Sequence, residues 1–131
     1  MEKENAPLLE KLTGKKILIV EDDLITQMYL ENLLNNKNID ILLANDGEQA
    51  LEQVKKNDNI AIVLLDLDMP KMNGLETISK IIKINPKVKI VIETVHSKRE
   101  KMEHCMKLGA SAYLTKPLEN DELLETINSV I

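Results

Sequence analysis

From Lys16 onward, short aliphatic runs alternate five times with segments whose apolar residues recur at helical spacing. That alternation constrains the fold more than any other feature, because it is the pattern of a parallel sheet covered by helices. The run ILIV at 17–20 is continuously aliphatic, as expected of a strand buried on both faces, and stops abruptly at Glu21, Asp22 and Asp23. Leu24, Met28, Leu33 and Leu34 then recur at helical spacing and predict a helix with these residues on its core face.

The later units repeat the scheme. A weaker strand over 39–44 leads to Asp46, a helix cap with Gln49 placed to return the bond, ahead of Ala50, Leu51 and Val54. A third strand over 60–65 runs into Asp66. Residues 69–74 read as a loop, and Asn73 with Glu76 forms a second capping pair before Leu75, Ile78, Ile81 and Ile82. Asn85 and Pro86 close that helix. A fourth strand over 88–92, a fourth helix over 99–108 stopped by Gly109, a short strand over 112–115 and a last helix bearing Leu123, Leu124, Ile127 and Val130 complete the series. Right-handed connections make this an open, doubly wound α/β sheet, whose ligand site lies outside the carboxyl ends of the strands.

Composition narrows the function. The 131 residues suit one domain, and with neither Phe nor Trp its core is aliphatic. A net charge of −5 and no basic block argue against nucleic acid or an anionic membrane as direct partner. The opening MEKENAPLLEKLTGKK is too polar for a signal peptide, and no apolar run reaches membrane-spanning length, so a cytoplasmic protein is expected. The lone Cys105 suits a reducing compartment. Residues 1–14, with Leu8, Leu9 and Leu12, read as a tail or linker ahead of a domain over 15–131.

Each strand at the functional edge ends in a residue with chemical potential: Glu21 and Asp22, Asp66, Thr94, and Lys116. Carboxylates about 4 Å apart repel by roughly 4 kcal/mol per pair at an effective dielectric near 20. The Lys116 ammonium and a hard divalent cation such as Mg²⁺ are the available compensators. With both in place, an ionised Asp66 is a nucleophile for in-line attack on a phosphoryl donor. Any one of these carboxylates alone would read as a solvated loop residue; it is their ordered set that points to a site.

ILIVEDD, VLLDLDMPKMNG, Thr94 and YLTKP together resemble the ordered motif set of response-regulator receiver domains, over roughly 15–131. The resemblance implies a flavodoxin-like five-stranded parallel sheet of order 2-1-3-4-5 with five helices. It implies that Glu21 and Asp22 hold Mg²⁺, with Mn²⁺ as an alternative, together with Asp66 and the Asp68 backbone carbonyl. Asp66 would take the phosphoryl group from a histidine kinase or histidine phosphotransfer domain. Thr94 would then bond a phosphoryl oxygen, Lys116 would pair with the phosphate, and Tyr113 would change rotamer. A downstream protein would meet the fourth helix, fifth strand and fifth helix, with the chain a monomer or a phosphorylation-dependent dimer. Such a module promotes its own phosphorylation and is not a turnover enzyme. The same resemblance suggests a cis Lys116–Pro117 peptide.

Four features depart from that pattern or stand beside it. Val95 follows Thr94 where a small residue is usual and is expected to narrow access to Asp66. Glu93 occupies a strand position expected to be apolar and has no evident partner. Asp68 and His96 are placed to flank the path of a hydrolytic water. His104 and Cys105 are adjacent on a helix, point in different directions, and read as a surface residue and a partly buried thiol. With no DNA-binding segment after the last helix, the output is expected to be a protein contact. Alternative readings are a receiver excised from a hybrid sensor kinase, a pseudo-receiver that is never phosphorylated, and a Mg²⁺-dependent phosphohydrolase with Asp68 as a second acid, for which no substrate cap exists.

Overall fold

In the computed structural model, which describes residues 10–131, five parallel strands lie in the order β2-β1-β3-β4-β5. The elements are β1 (Lys16–Val20), α1 (Leu24–Leu34), β2 (Asp40–Ala44), α2 (Gly47–Lys56), β3 (Ile60–Asp66), α3 (Gly74–Ile84), β4 (Lys89–Thr94), α4 (Arg99–Lys107), β5 (Ala112–Thr115) and α5 (Asn120–Val130). The expected flavodoxin-like α/β architecture and its strand order are therefore what the chain adopts. The expected segment 1–14 is described only from residue 10; there a 3-10 turn, Glu10–Leu12, buries Leu12 against the sheet, while Leu8 and Leu9 lie outside the described residues.

Strand alternation splits the core into two layers. Leu18, Val20, Val63, Leu65, Ile90 and Ile92 face α2, α3 and α4, whose Ala50, Val54, Ile78, Ile81 and Cys105 close that side. Ile17, Ile19, Ile62, Leu64, Val91 and Leu114 face α1 and α5, through Leu30, Leu34, Leu123, Leu124 and Ile127. Each such aliphatic side chain contributes about 1.5–3 kcal/mol on burial, and this is what holds the sheet between its helices. No helix among the described residues is long and apolar enough to cross a membrane.

Of the four residues expected on the core face of α1, Leu34 is buried and Leu33 packs partly against the core, but Leu24 and Met28 do not. Gln27, Leu30 and Leu34 are buried, whereas Leu24, Ile25, Met28 and Tyr29 are exposed, Ile25 by 77%. The helix is apolar nearly all round, so hydrophobicity alone does not select a stripe. Its start is held by Asp23, which accepts from the Thr26 amide at 2.9 Å and the Thr26 hydroxyl at 2.6 Å. Asp46 caps α2 through the Gln49 amide at 2.8 Å, but the Gln49 side chain returns its bond to Asn45. Asn73 caps α3 through the Glu76 amide, and the Glu76 carboxylate pairs instead with Lys80 at 2.6 Å. Gly109 ends α4 with φ +118°, and a Cβ there would meet Ile82 Cγ1 at 2.8 Å, so glycine is required on both counts.

Candidate functional site

The carboxyl ends of β1, β3, β4 and β5 converge, and four of the anticipated residues meet there. Asp66 ends β3 and is 3% exposed. Its Oδ1 accepts from Lys116 Nζ at 2.9 Å and from the Asp68 amide at 2.8 Å. Thr94 ends β4, fully buried, and Glu21 follows β1, 2% exposed. Lys116 lies just beyond β5, where its backbone amide donates to the Thr94 carbonyl at 2.7 Å and the Lys116–Pro117 peptide is cis.

Asp22 is not drawn into this group. It is exposed at the rim, against the groove formed with Asn45, Asp46, Met69 and Lys71. The third carboxylate is Glu93 instead. Alternation along the strands places Glu93 two residues after Val91 and Asp66 two after Leu64, on the α1 and α5 side of the sheet, and the β3–β4 register sets Asp66 beside Glu93. One carboxylate oxygen from each of Glu21, Asp66 and Glu93 lies within 4.8 Å of the others. Among the described residues this is the one grouping of three or more such side chains close enough to share an ion.

Crowding of like charge under the sheet edge shows in the electrostatics. Burial pushes Glu93 up to about 8, aided by the close approach of the Glu21 carboxyl and by the charges of Glu21 and Asp66. Burial likewise raises Glu21, more than the Asp23 amide that donates to its Oε2 at 3.1 Å lowers it. Lys116 responds in the opposite sense. Burial disfavours its ammonium, but the bond to Asp66 and the charges of Asp66 and Asp68 outweigh that and push it up to about 12. Oxygens left without a partner are Glu21 Oε1 and both oxygens of Glu93. An all-oxygen, anionic set with orphaned buried acceptors suits a hard divalent cation.

Asp68 has a role that its sequence position did not reveal. Its carboxylate accepts from the Thr94 hydroxyl at 2.7 Å and the Val95 amide at 2.9 Å, and lies 3.2 Å from Lys116 Nζ. Although burial works against it, these donors hold the Asp68 carboxyl below its ordinary range. His96 Nε2 stands 3.8 Å from Asp68 Oδ1, so the two residues do sit together at the mouth. Val95 is 60% exposed, and its backbone amide donates to Asp68 Oδ2. Tyr113 is half-buried, and its hydroxyl donates to the His96 carbonyl at 2.6 Å. His104 is exposed, and Cys105 is packed in the core far more completely than the sequence suggested.

Gln27 was also missed. Its side-chain amide donates to the Glu21 carbonyl and, at 2.7 Å, to Asn45 Oδ1, tying α1 to the loops after β1 and β2.

Comparison with known proteins finds relatives along most of the chain. Residues 17–128 match the family model described as the response regulator receiver domain. The chain is 37% identical over 115 residues to the transcriptional regulatory protein ZraR of Escherichia coli K12, covering 88% of this chain but 26% of that protein. It thus spans about a quarter of that relative's length. It is 32% identical over 120 residues to the chemotaxis protein CheY of Thermotoga maritima, covering 89% of this chain and 98% of that one. A chain of the crystal structure of the CheX–CheY–BeF₃–Mg²⁺ complex from Borrelia burgdorferi superposes with a TM-score of 0.83 at 30% identity, covering 88% of each chain.

Proposed function

This chain belongs to the response-regulator receiver family and is a receiver domain of two-component signalling; from that premise we propose that Asp66 is its phosphoacceptor. The observation that carries the reading is the Lys116 ammonium, 2.9 Å from a buried Asp66 whose neighbours are two further carboxylates. The Lys116 ammonium offsets the charge of Asp66 in a buried, acidic setting.

Both bonds to Asp66 fall on Oδ1, so Oδ2 is the attacking atom. With a phosphohistidine donor, the new O–P bond forms as the P–N bond breaks, and the imidazole leaves with a proton from water. Lys116 meets the charge on the transferred group. Glu21, Asp22, Asp66 and the Asp68 backbone carbonyl would hold Mg²⁺ or Mn²⁺, which when bound neutralises charge on the phosphoryl oxygens.

The donors a phosphoryl group needs are now engaged by Asp68: the Thr94 hydroxyl, the Val95 amide and a share of Lys116. A phosphoryl group brings about −1.5 to −2 charge and three strong acceptors, enough to draw Thr94 and Lys116 away from one carboxylate. Thr94 then turns inward, Tyr113 leaves the His96 carbonyl, and the surface of α4, β5 and α5 repacks for a downstream protein. Asp68, an acid stabilised as its anion, is poorly suited to the proton donation that a phosphohydrolase mechanism would ask of it.

Stoichiometric labelling by acetyl phosphate in Mg²⁺, abolished by a chelator, is the expected result. A structure of the beryllium fluoride adduct should show Thr94 released from Asp68. Labelling that ignores the chelator, or a retained Thr94–Asp68 bond in the adduct, would count against the mechanism.

The exposed Leu24, Ile25, Met28 and Tyr29 begin two residues beyond the acidic pair, on the helix that leaves the site edge of the sheet. We place the histidine kinase or phosphotransfer domain there, acting in the cytoplasm, because a clustered exposed apolar patch marks a protein contact. Ile25→Asp should slow transfer from a phosphohistidine protein by about tenfold or more, the scale of a lost interface anchor. Labelling by acetyl phosphate should be unchanged. Equal slowing with both donors would show that the substitution damages the site and not the docking surface.

A further inference from the structure

The buried side of the site holds one carboxyl group more than Asp66 and the acidic pair after β1 supply. Glu93 is 98% removed from solvent, yet neither of its oxygens has a hydrogen-bond donor, and Glu21 Oε1 beside it is also unpartnered. A buried carboxylate with nothing to bond is expensive to keep unless something positive occupies the space before it. The β3–β4 register fixes Glu93 next to Asp66, so its presence there does not depend on a flexible loop. The oxygens of Glu21, Asp66 and Glu93 approach within 4.8 Å of one another. Ligand oxygens at about 2.0–2.6 Å from a shared Mg²⁺, Mn²⁺ or Ca²⁺ lie no more than about 4–5 Å apart.

Resting on the reading of Asp66 and Glu21 as metal ligands, we propose that Glu93 is a further ligand of the divalent cation. This chain then holds its ion with one carboxylate more than Asp66 and the Glu21–Asp22 pair provide. Ligand charge count tunes cation affinity over orders of magnitude, so the added anion tightens binding. It also suits Mn²⁺, whose site affinity generally lies at the low end of the divalent transition-metal series and gains from an extra anionic oxygen.

The competing role for Glu93 is that of a protonated acid donating a hydrogen bond to Glu21. Glutamine separates the two. It keeps the size and a donor for Glu21, and so reproduces the protonated acid, but it offers no anionic oxygen to an ion.

Wild-type and Glu93→Gln proteins, both stripped with a chelator, are titrated with Mn²⁺ by electron paramagnetic resonance and with Mg²⁺ by calorimetry. Circular dichroism and a cooperative unfolding transition establish that each is folded. The expected result is one bound Mn²⁺ in the wild type and at least a tenfold weaker site in Glu93→Gln. Unchanged or tighter binding by the variant overturns the role of Glu93 and leaves the metal site itself standing; no uptake by the wild type overturns both. A crystal of the wild type with Mn²⁺ tests the same point without a substitution. A Glu93 oxygen within about 2.6 Å of the ion supports the proposal, and an ion bound without Glu93 removes it.

Discussion

Asp66→Asn protein incubated with acetyl phosphate and Mg²⁺ is expected to acquire no acylphosphate, a loss of about a hundredfold or more, as follows from deleting the nucleophile of a group transfer. Asparagine keeps the shape of the side chain and an oxygen that can accept from Lys116 Nζ and the Asp68 amide, so the local bonds at Oδ1 have a replacement. One negative charge is also withdrawn from a crowded trio, and stability should hold or rise. Loss of labelling therefore cannot be blamed on collapse of the site. Intact-protein mass spectrometry reads the result directly. Label persisting at the wild-type level would move the acceptor to another carboxylate, and Asp22 at the exposed rim would be the first to test.

The architecture was legible because a strand buried on both faces is a continuous aliphatic run, and five such runs alternate with amphipathic segments. The order of the strands was not legible from alternation; it came with the family resemblance, since connection handedness leaves several orders open. The inward face of α1 was only partly legible, for a physical reason. Leu24, Ile25, Met28, Tyr29, Leu30, Leu33 and Leu34 place apolar groups around most of the helix. Only the bonds of Gln27 to the Glu21 carbonyl and Asn45 show which side must face inward.

At the site, residues that end strands could be foreseen, since the carboxyl edge of such a sheet gathers them. Asp66, Thr94, Lys116 and Glu21 were found this way. What loops and register decide could not be foreseen. The Asp68 carboxylate reaches Thr94 and Val95 only through the turn after β3, and sequence suggested for Asp68 a backbone carbonyl and a place beside the water path. Glu93 was noticed as a charge without a partner. That its neighbours are Glu21 and Asp66 depends on the pairing of β3 with β4, which a pattern of apolar residues along one strand does not contain.

Glu93 and Glu21 make the stability of the metal-stripped protein fall as pH rises from about 5 to about 8. Folded Glu93 keeps its proton up to about 8, whereas in the unfolded chain it loses it near the ordinary value of 4.5. Between those limits the folded state binds more protons than the unfolded one, so the free energy of unfolding decreases with pH. Stability from this group is thus fully present below the ordinary carboxyl value and lost as pH passes upward toward the folded one. Glu21, raised by burial, adds in the same direction. Asp68 and Lys116 do not confuse the window, because the first is lowered from 3.8 and the second raised from 10.5 to about 12. At about 1.4 kcal/mol per pKa unit, the decline amounts to several kcal/mol, a large share of a small domain's stability. Urea unfolding in a chelator at pH 5, 6.5 and 8 should show it. Glu93→Leu should remove most of the slope and, by replacing a buried ion with packed hydrocarbon, should be more stable than the wild type at pH 8 by about 1–4 kcal/mol. Parallel pH profiles for the two proteins would mean that Glu93 is not the group that titrates. Restoring Mg²⁺ or Mn²⁺ should rescue the wild type at pH 8 and do far less for Glu93→Leu, since an ion bound by the folded state alone stabilises in proportion to its affinity.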